Sequence, residues 1–360
     1  MAGHADADLV RAHADSRLGM ARAPSVGREE REALEAERLR PGAALASGAG
    51  DRAVPEEPDP ERTCFERDRD RVVHSTAFRR LAGKTQVVVF PTDHQRTRLT
   101  HALEVAQVAT SIARGVGANI ALTEAIALAH DCGHGPGGHA SEDAFDAFLP
   151  GGYDHGPWGA DVVLTSLNLC AETLDGVRNH SWSRPAPATI EGELVSWADR
   201  IAYCAHDLED AAGAGIVDAS ELPAEVVEVA GRTRRDQLNT FITAVVRAVC
   251  ETGKVGMASS EAAALAGLRA FNYKRIYTRP DAIAQSQAVI AVLRALVDHY
   301  CQTPGALPPD LGAADLDEQG RVRAAVTYVA GMTDRFAFDQ AVTLLGWEPA
   351  RLPKGIGRDA

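Results

Sequence analysis

His130-Asp131 stands directly before Cys132-Gly133-His134-Gly135-Pro136-Gly137-Gly138-His139, so three imidazoles and a carboxylate fall among glycines within ten positions. Imidazoles and carboxylates bind divalent ions and move protons near neutral pH, and glycine lets the backbone approach a ligand closely. A His-Asp pair alone is expected by chance in a chain this long; its neighbours give it weight. Upstream, Arg98-Leu99-Thr100-His101 opens an apolar-periodic stretch, and downstream Ala198-Asp199-Arg200-Ile201-Ala202-Tyr203 lies inside another. At about 100° per residue, Asp199, Tyr203, His206 and Asp210 share one narrow stripe with Asp207 at its margin, opposite Leu194, Ala198, Ile201, Ala205 and Leu208. The competing interpretation is an ordinary solvated face. Such a face carries Glu and Lys in ion-pair steps, and this stripe has no Lys.

The elements that must position these residues read as helices. Leu99, Leu103, Ala106, Ala109 and Ile112 recur at three to four residue steps, as do Ile190, Leu194, Ala198, Ile201, Ala205 and Leu208. Further helices are expected over Asn119 to His130, Ala160 to Leu174, Gln237 to Glu251, Ala282 to Tyr300 and Val322 to Leu345. Gly and Pro punctuate them at Gly133 to Gly138, Gly151-Gly152 and Thr303 to Pro309. Alternating strand patterns are scarce; the best is Gln86 to Phe90, too short to organise a sheet. The fold class is therefore all-α. The first aromatic residue is Phe65, so residues 1–60 are expected to be a flexible tail, with a solvated helix over Arg28 to Arg40 and a linker over Pro41 to Pro60. A catalytic domain over 61–300 and a helical extension over 301–360 packed on it complete the expected organisation.

Composition narrows the function classes. A 360-residue chain that is 45% hydrophobic supplies a sizeable core, which excludes wholesale disorder. Lys and Arg number 37 against 50 for Asp and Glu, and the net charge of −13 argues against duplex DNA or an anionic membrane as partner, while leaving room for a local basic pocket. Few aromatics likewise disfavour single-stranded nucleic-acid binding or nuclease activity. None of the six cysteines stands at Cys-x-x-Cys spacing, and there is no apolar run of spanning length, so a soluble cytoplasmic protein with reduced thiols is expected.

His101, then His130-Asp131, then Asp199 resembles the His…His-Asp…Asp metal signature of the HD-domain phosphohydrolase superfamily. More narrowly, Thr97 to Gln107, His130 to His139, Ala198 to Asp210 and Tyr328-Val329-Ala330-Gly331-Met332-Thr333-Asp334-Arg335 resemble, in order, the blocks of deoxyguanosinetriphosphate triphosphohydrolase-like proteins. The likeness runs from about Arg67 to about Phe338.

The resemblance implies the HD-type helical fold. It further implies one divalent metal held by His101, His130, Asp131 and Asp199, and hydrolysis of a deoxynucleoside triphosphate to deoxynucleoside and inorganic triphosphate. Two imidazoles and two carboxylates form a mixed nitrogen and oxygen site suited to Mn²⁺ or Mg²⁺, with Fe²⁺, Co²⁺, Ni²⁺ and Zn²⁺ as other candidates. By the same likeness His139 is the catalytic histidine and Glu142 the carboxylate that orients it. Arg98, His134, His155, Arg200 and Tyr203 match phosphate-contacting positions, and Gln86 and Asp207 match groups that hold the sugar 3′-hydroxyl. Family members form tetramers and hexamers, so a homo-oligomer is implied. Two departures touch the nucleotide side of the site: Gly156-Pro157-Trp158-Gly159 follows His155 where the family has Asn or Glu and then Gln-Ser, and Gly137 stands where an aromatic residue is common. Two alternatives share the fold: an HD-type phosphohydrolase acting on a nucleoside monophosphate or signalling nucleotide, and a nucleotide-sensing protein without turnover.

Overall fold

Thr63, Asn119, Thr189, Thr233 and Thr333 each accept a hydrogen bond from a backbone N–H of the following turn, and each starts a helix. The computed structural model describes residues 3–6, 8–87, 95–311 and 316–353. In chain order its helices are α1 (Arg28–Arg38), α2 (Cys64–His74), α3 (Thr76–Arg80), α4 (Arg98–Val116), α5 (Ile120–Ala129), α6 (His139–Asp146), α7 (His155–Trp158), α8 (Ala171–Asn179), α9 (Ile190–Gly213), α10 (Ala224–Ala230), α11 (Arg234–Thr252), α12 (Ser259–Asn272), α13 (Pro280–Gln302), α14 (Glu318–Ala330) and α15 (Asp334–Leu345). The only sheet among the described residues is a hairpin of His4–Asp6 with Leu9–Arg11. The all-α expectation holds. Of the strand expected over Gln86 to Phe90, the last three residues lie outside the described ones, and its neighbour Thr85 makes a single bridge to Thr97.

α5 is buried on nearly every side, through Leu122, Ala125, Ile126, Ala127, Leu128 and Ala129, which is why its sequence is apolar all round. α2, α4, α8 and α9 pack around it. Small residues on α4, Ala102, Ala106, Ala109 and Ala113, let these helices approach closely. A second apolar core gathers Phe145 of α6, Val289, Leu293, Leu296 and Val297 of α13, Val326 and Val329 of α14, and Phe338 of α15. It includes α13, so the boundary expected at residue 300 falls at the end of a helix already committed to the C-terminal core.

Three expectations change. Pro41 to Pro60 is not a free linker: Arg52 is buried, pairs with Asp68 at 2.6 Å and donates to the carbonyls of Ala49, Cys64 and Asn168. Glu191, also buried, accepts from the N–H groups of Ala44 and Asn119. Ala160 to Leu174 is not one helix; a π-turn over Gly159–Val163 and a 3₁₀ turn over Thr165–Leu167 precede α8, and Asn168 sits at φ 49°. Val322 to Leu345 is two helices, because the Thr333 hydroxyl caps a new one after Gly331.

The Arg52–Asp68 pair yields a stability prediction. Asp68 also accepts from Cys170 N at 2.8 Å and Thr173 Oγ1 at 2.7 Å, so removing Arg52 leaves a buried carboxylate without its counter-charge. Arg52→Ala should lose about 3–5 kcal/mol of unfolding free energy in urea. A loss under about 1 kcal/mol, the worth of a surface pair, would contradict this placement.

Candidate active site and metal centre

Helix ends bring the chemistry to one cavity of about 480 Å³. α4 presents Arg98 and His101 from its first turn, and α9 crosses it with Asp199, Arg200, Tyr203 and Asp207 on the stripe facing the cavity. α5 ends at His130, whose Nδ1 donates to the Ala127 carbonyl at 2.6 Å and so turns Nε2 inward. The chain then bends through Asp131 to Gly138. A Cβ on Gly133 would collide with the His155 carbonyl, and Gly138, at φ 65°, lies against Arg98 and the Thr85 carbonyl, so these positions demand glycine. Asp334 fastens this loop to the rest, accepting from Gly137 N at 2.8 Å, Thr85 N at 2.9 Å and Thr85 Oγ1 at 2.5 Å. The buried Lys84 ammonium donates to the carbonyls of His134 and Ala330; burial pushes its pKa down to about 8.

His101, His130, Asp131 and Asp199 converge. His101 Nε2 lies 3.0 Å from Asp199 Oδ1 and 3.9 Å from Asp131 Oδ2; His130 Nε2 lies 3.4 Å from Asp131 Oδ1 and 3.7 Å from Asp199 Oδ1. Ligands about 2.1 Å from a common ion stand roughly 3.0–4.2 Å apart, so these spacings fit one divalent cation. His130 Nε2 is buried without a hydrogen-bond partner, as expected of a nitrogen whose lone pair is meant for a metal. Burial alone would raise both carboxyls. The Arg98 guanidinium and the His130 and His134 rings hold Asp131 well below the ordinary carboxylate range, and His101 and His130 do the same for Asp199.

Around this centre Arg98 is fully buried and donates to Asp131 Oδ2 at 2.6 Å, leaving its Nε and Nη2 without partners. His134 stacks on His155 at 3.7 Å and reaches Asp131 Oδ1 at 3.2 Å. His139 is exposed at the cavity mouth, its Nδ1 3.1 Å from Glu142 Oε1; the same oxygen accepts from His155 Nδ1 at 2.7 Å. Burial would raise the Glu142 carboxyl, but these two imidazoles keep it well below its usual range and hence an acceptor. Gln86 lines the cavity with its Oε1 unpaired. Arg200 lies flat on Trp182, 3.4 Å from the ring centroid, and Tyr203 accepts from Arg269 Nε at 3.0 Å. Burial pushes the Tyr203 hydroxyl pKa above its ordinary value, which keeps it neutral.

Asp207, expected to hold the sugar 3′-hydroxyl, already has protein partners: Arg96 and the Tyr277 hydroxyl donate to its two oxygens. Each oxygen keeps a second lone pair, so Asp207 is oriented rather than blocked. Of the two departures, Trp158 is buried in the C-terminal core beneath Arg323, while Gly137 does line the cavity, against Val289.

Several cavity residues escaped sequence reading. Arg269, Tyr273 and Tyr277 stand at i, i+4 and i+8, a spacing that signals one helical face. Outside the cavity lining, Arg96 pairs with Asp207, Asp210 and Glu104. His180 ends α8 as His130 ends α5, its Nδ1 donating to the carbonyl three residues back at 2.8 Å.

Residues 98–204 match the HD domain, a span that opens at Arg98 and closes just after Tyr203, and residues 255–342 match the phosphohydrolase-associated domain. A deoxyguanosinetriphosphate triphosphohydrolase-like protein of Caldanaerobacter subterraneus subsp. tengcongensis is 39% identical over 318 residues, covering 86% of this chain and 93% of that one. The chain belongs to this family of HD-domain phosphohydrolases. Proteins of the same description from Clostridium perfringens and Ruegeria sp. are each 36% identical, covering 87% and 82% of this chain and 96% of their own. HD phosphohydrolases are metal-dependent, and the His and Asp side chains here can hold a divalent ion. No described helix is long and apolar enough to cross a membrane.

Proposed function

We propose that this HD phosphohydrolase cleaves deoxynucleoside triphosphates, dGTP or dNTPs generally, into deoxynucleoside and inorganic triphosphate. The observation that carries the proposal is the pairing, in one cavity, of the four-ligand centre of His101, His130, Asp131 and Asp199 with the Glu142-held His139 at its mouth. A divalent ion held by those four side chains, Mn²⁺ or Mg²⁺ fitting the donor types, would supply Lewis acidity to a phosphate oxygen and lower the pKa of a bound water. Arg98, with Nε and Nη2 unpartnered, and Arg200, on its Trp182 platform, bind the phosphate oxygens. Water oxygen bonds to the α-phosphorus, the bond from phosphorus to the 5′-oxygen breaks, and His139 Nε2 delivers a proton to that oxygen. Glu142 holds the other ring nitrogen and so fixes the direction in which Nε2 points.

Gln86 and the oriented Asp207 hold the 3′-hydroxyl and press the sugar against Tyr203, so a 2′-hydroxyl is crowded. Nucleoside release from matched dNTP and NTP pairs with Mn²⁺ tests this: dNTPs should have kcat/KM about 10–100-fold higher, the usual worth of discriminating one hydroxyl sterically. Equal values would contradict the sugar site, and dNDP or dNMP products would contradict the reaction. The active unit is a homo-oligomer on the family pattern; light scattering at monomer mass would contradict that.

A further inference from the structure

We propose that Cys64 and Cys170 are a redox-active dithiol that closes to a disulfide beneath the segment from Ala44 to Arg52. Cys64 opens α2 and Cys170 stands directly before α8, and both thiols are buried and free. The two sulfurs share one space: a Cβ on Gly50 would stand 2.5 Å from Cys170 Sγ and 3.3 Å from Cys64 Sγ. Their backbones are held together by the same segment. Arg52 forms a bridge with Cys170 and donates Nη2 to the Cys64 carbonyl at 3.0 Å, while Ala171 N donates to the Asp51 carbonyl at 2.8 Å. A buried cysteine is more often plain apolar filling. This pair is not in apolar surroundings, since the Arg52 guanidinium and the Asp68 carboxylate, which accepts from Cys170 N at 2.8 Å, lie against it.

The surroundings also divide the roles. The Cys170 S–H, the Ser47 backbone N–H and the Arg52 guanidinium favour the Cys64 thiolate and, against burial and the Asp68 carboxylate, hold that thiol below its ordinary pKa. Donation to Cys64, together with burial, pushes the Cys170 thiol the other way. Cys64 is therefore the sulfur that meets an oxidant first, and Cys170 the one that resolves it. The oxidant is a peroxide, small enough to enter past Gly50, which is half-buried and carries no side chain over the sulfurs. The Cys64 thiolate bonds to one oxygen of hydrogen peroxide, the O–O bond breaks, and the departing hydroxide takes up the proton that Cys64 released, leaving a sulfenic acid and one water. The Cys170 sulfur then bonds to the Cys64 sulfur, the S–O bond breaks, and the hydroxyl leaves with the Cys170 proton as a second water. Two thiols give up two electrons and one peroxide accepts them. The new bond closes a loop that contains His101, His130, Asp131, His139 and Glu142, so oxidation ties α2 to the start of α8 around most of the site without touching it.

No step involves nucleotide or metal, so the test stands apart from the proposed function. Full-length protein treated with hydrogen peroxide, then denatured, alkylated with iodoacetamide and digested without reduction, is expected to yield the Cys64 and Cys170 peptides joined and lighter by two hydrogens. Closing so long a loop should raise the melting temperature by roughly 3–6 °C, and dithiothreitol should reverse the rise. Cys170→Ser should stop at the Cys64 sulfenic acid, which dimedone labels, while Cys64→Ser should leave Cys170 unlabelled. Both Cys64 and Cys170 recovered as alkylated thiols, at a peroxide dose that oxidises the exposed Cys250, would overturn the dithiol. A disulfide from either residue to another cysteine would overturn the pairing, and label on Cys170 in Cys64→Ser with none on Cys64 in Cys170→Ser would overturn the roles. The wild-type peptide map decides the pairing even if neither variant folds.

Discussion

His130→Ala is expected to fold, to lose the ion held with His101, Asp131 and Asp199, and to lose turnover with it. His130 ends α5 with its Nε2 buried and unpaired, so alanine removes a ligand without breaking another bond except the one to the Ala127 carbonyl. Losing even an outer partner of a metal ligand costs about 10–100-fold in metal affinity, and losing one of four direct ligands should exceed that. His101→Ala and Asp199→Ala should behave alike; Asp131→Ala should also release Arg98, which pairs with it at 2.6 Å. Metal analysis after dialysis, with circular dichroism to confirm folding, checks all four. Wild-type metal content in two or more of them would remove the centre as described.

The second large effect is expected at His139. Its ring is exposed at the cavity mouth and touches Glu142, and it lies outside the four-ligand centre, so His139→Ala should keep that centre's metal and substrate binding while turnover falls by about 10² to 10⁴. Glu142→Gln should fall in the same direction by less. Because Glu142 also holds His155, that variant should loosen the His155 ring stacked on His134 as well, which His139→Ala should not. A His139→Ala protein with normal kcat and only a raised KM would make His139 a binding residue and send the search for the acid to His134 or His155.

The helices that carry the centre were legible because they are amphipathic or wholly apolar and bounded by glycine, and because four motif blocks recur in order. What was not legible has physical reasons. The segment from Ala44 to Arg52 is anchored by buried charge, Arg52 on Asp68 and Glu191 on two backbone N–H groups, and a composition argument built on missing aromatics cannot see an anchor made of ion pairs. The break between α14 and α15 depends on a hydroxyl cap at Thr333, which apolar periodicity ignores. His180 is not legible because a lone histidine in sequence has no partner until α8 folds its end against His155. The partners of Asp207 are invisible in sequence because Arg96 and Tyr277 come from segments 111 and 70 residues away.

The proposed function turns on attack of water at the α-phosphorus with departure of the 5′-oxygen. Hydrolysis of dGTP in ¹⁸O-labelled water, followed by phosphorus NMR, tests it most directly. Intact inorganic triphosphate should appear as the primary product, with the isotope-shifted signal on a terminal phosphorus and no label in the 5′-hydroxyl of deoxyguanosine. Orthophosphate or pyrophosphate as the primary product, or label in the nucleoside, would contradict it.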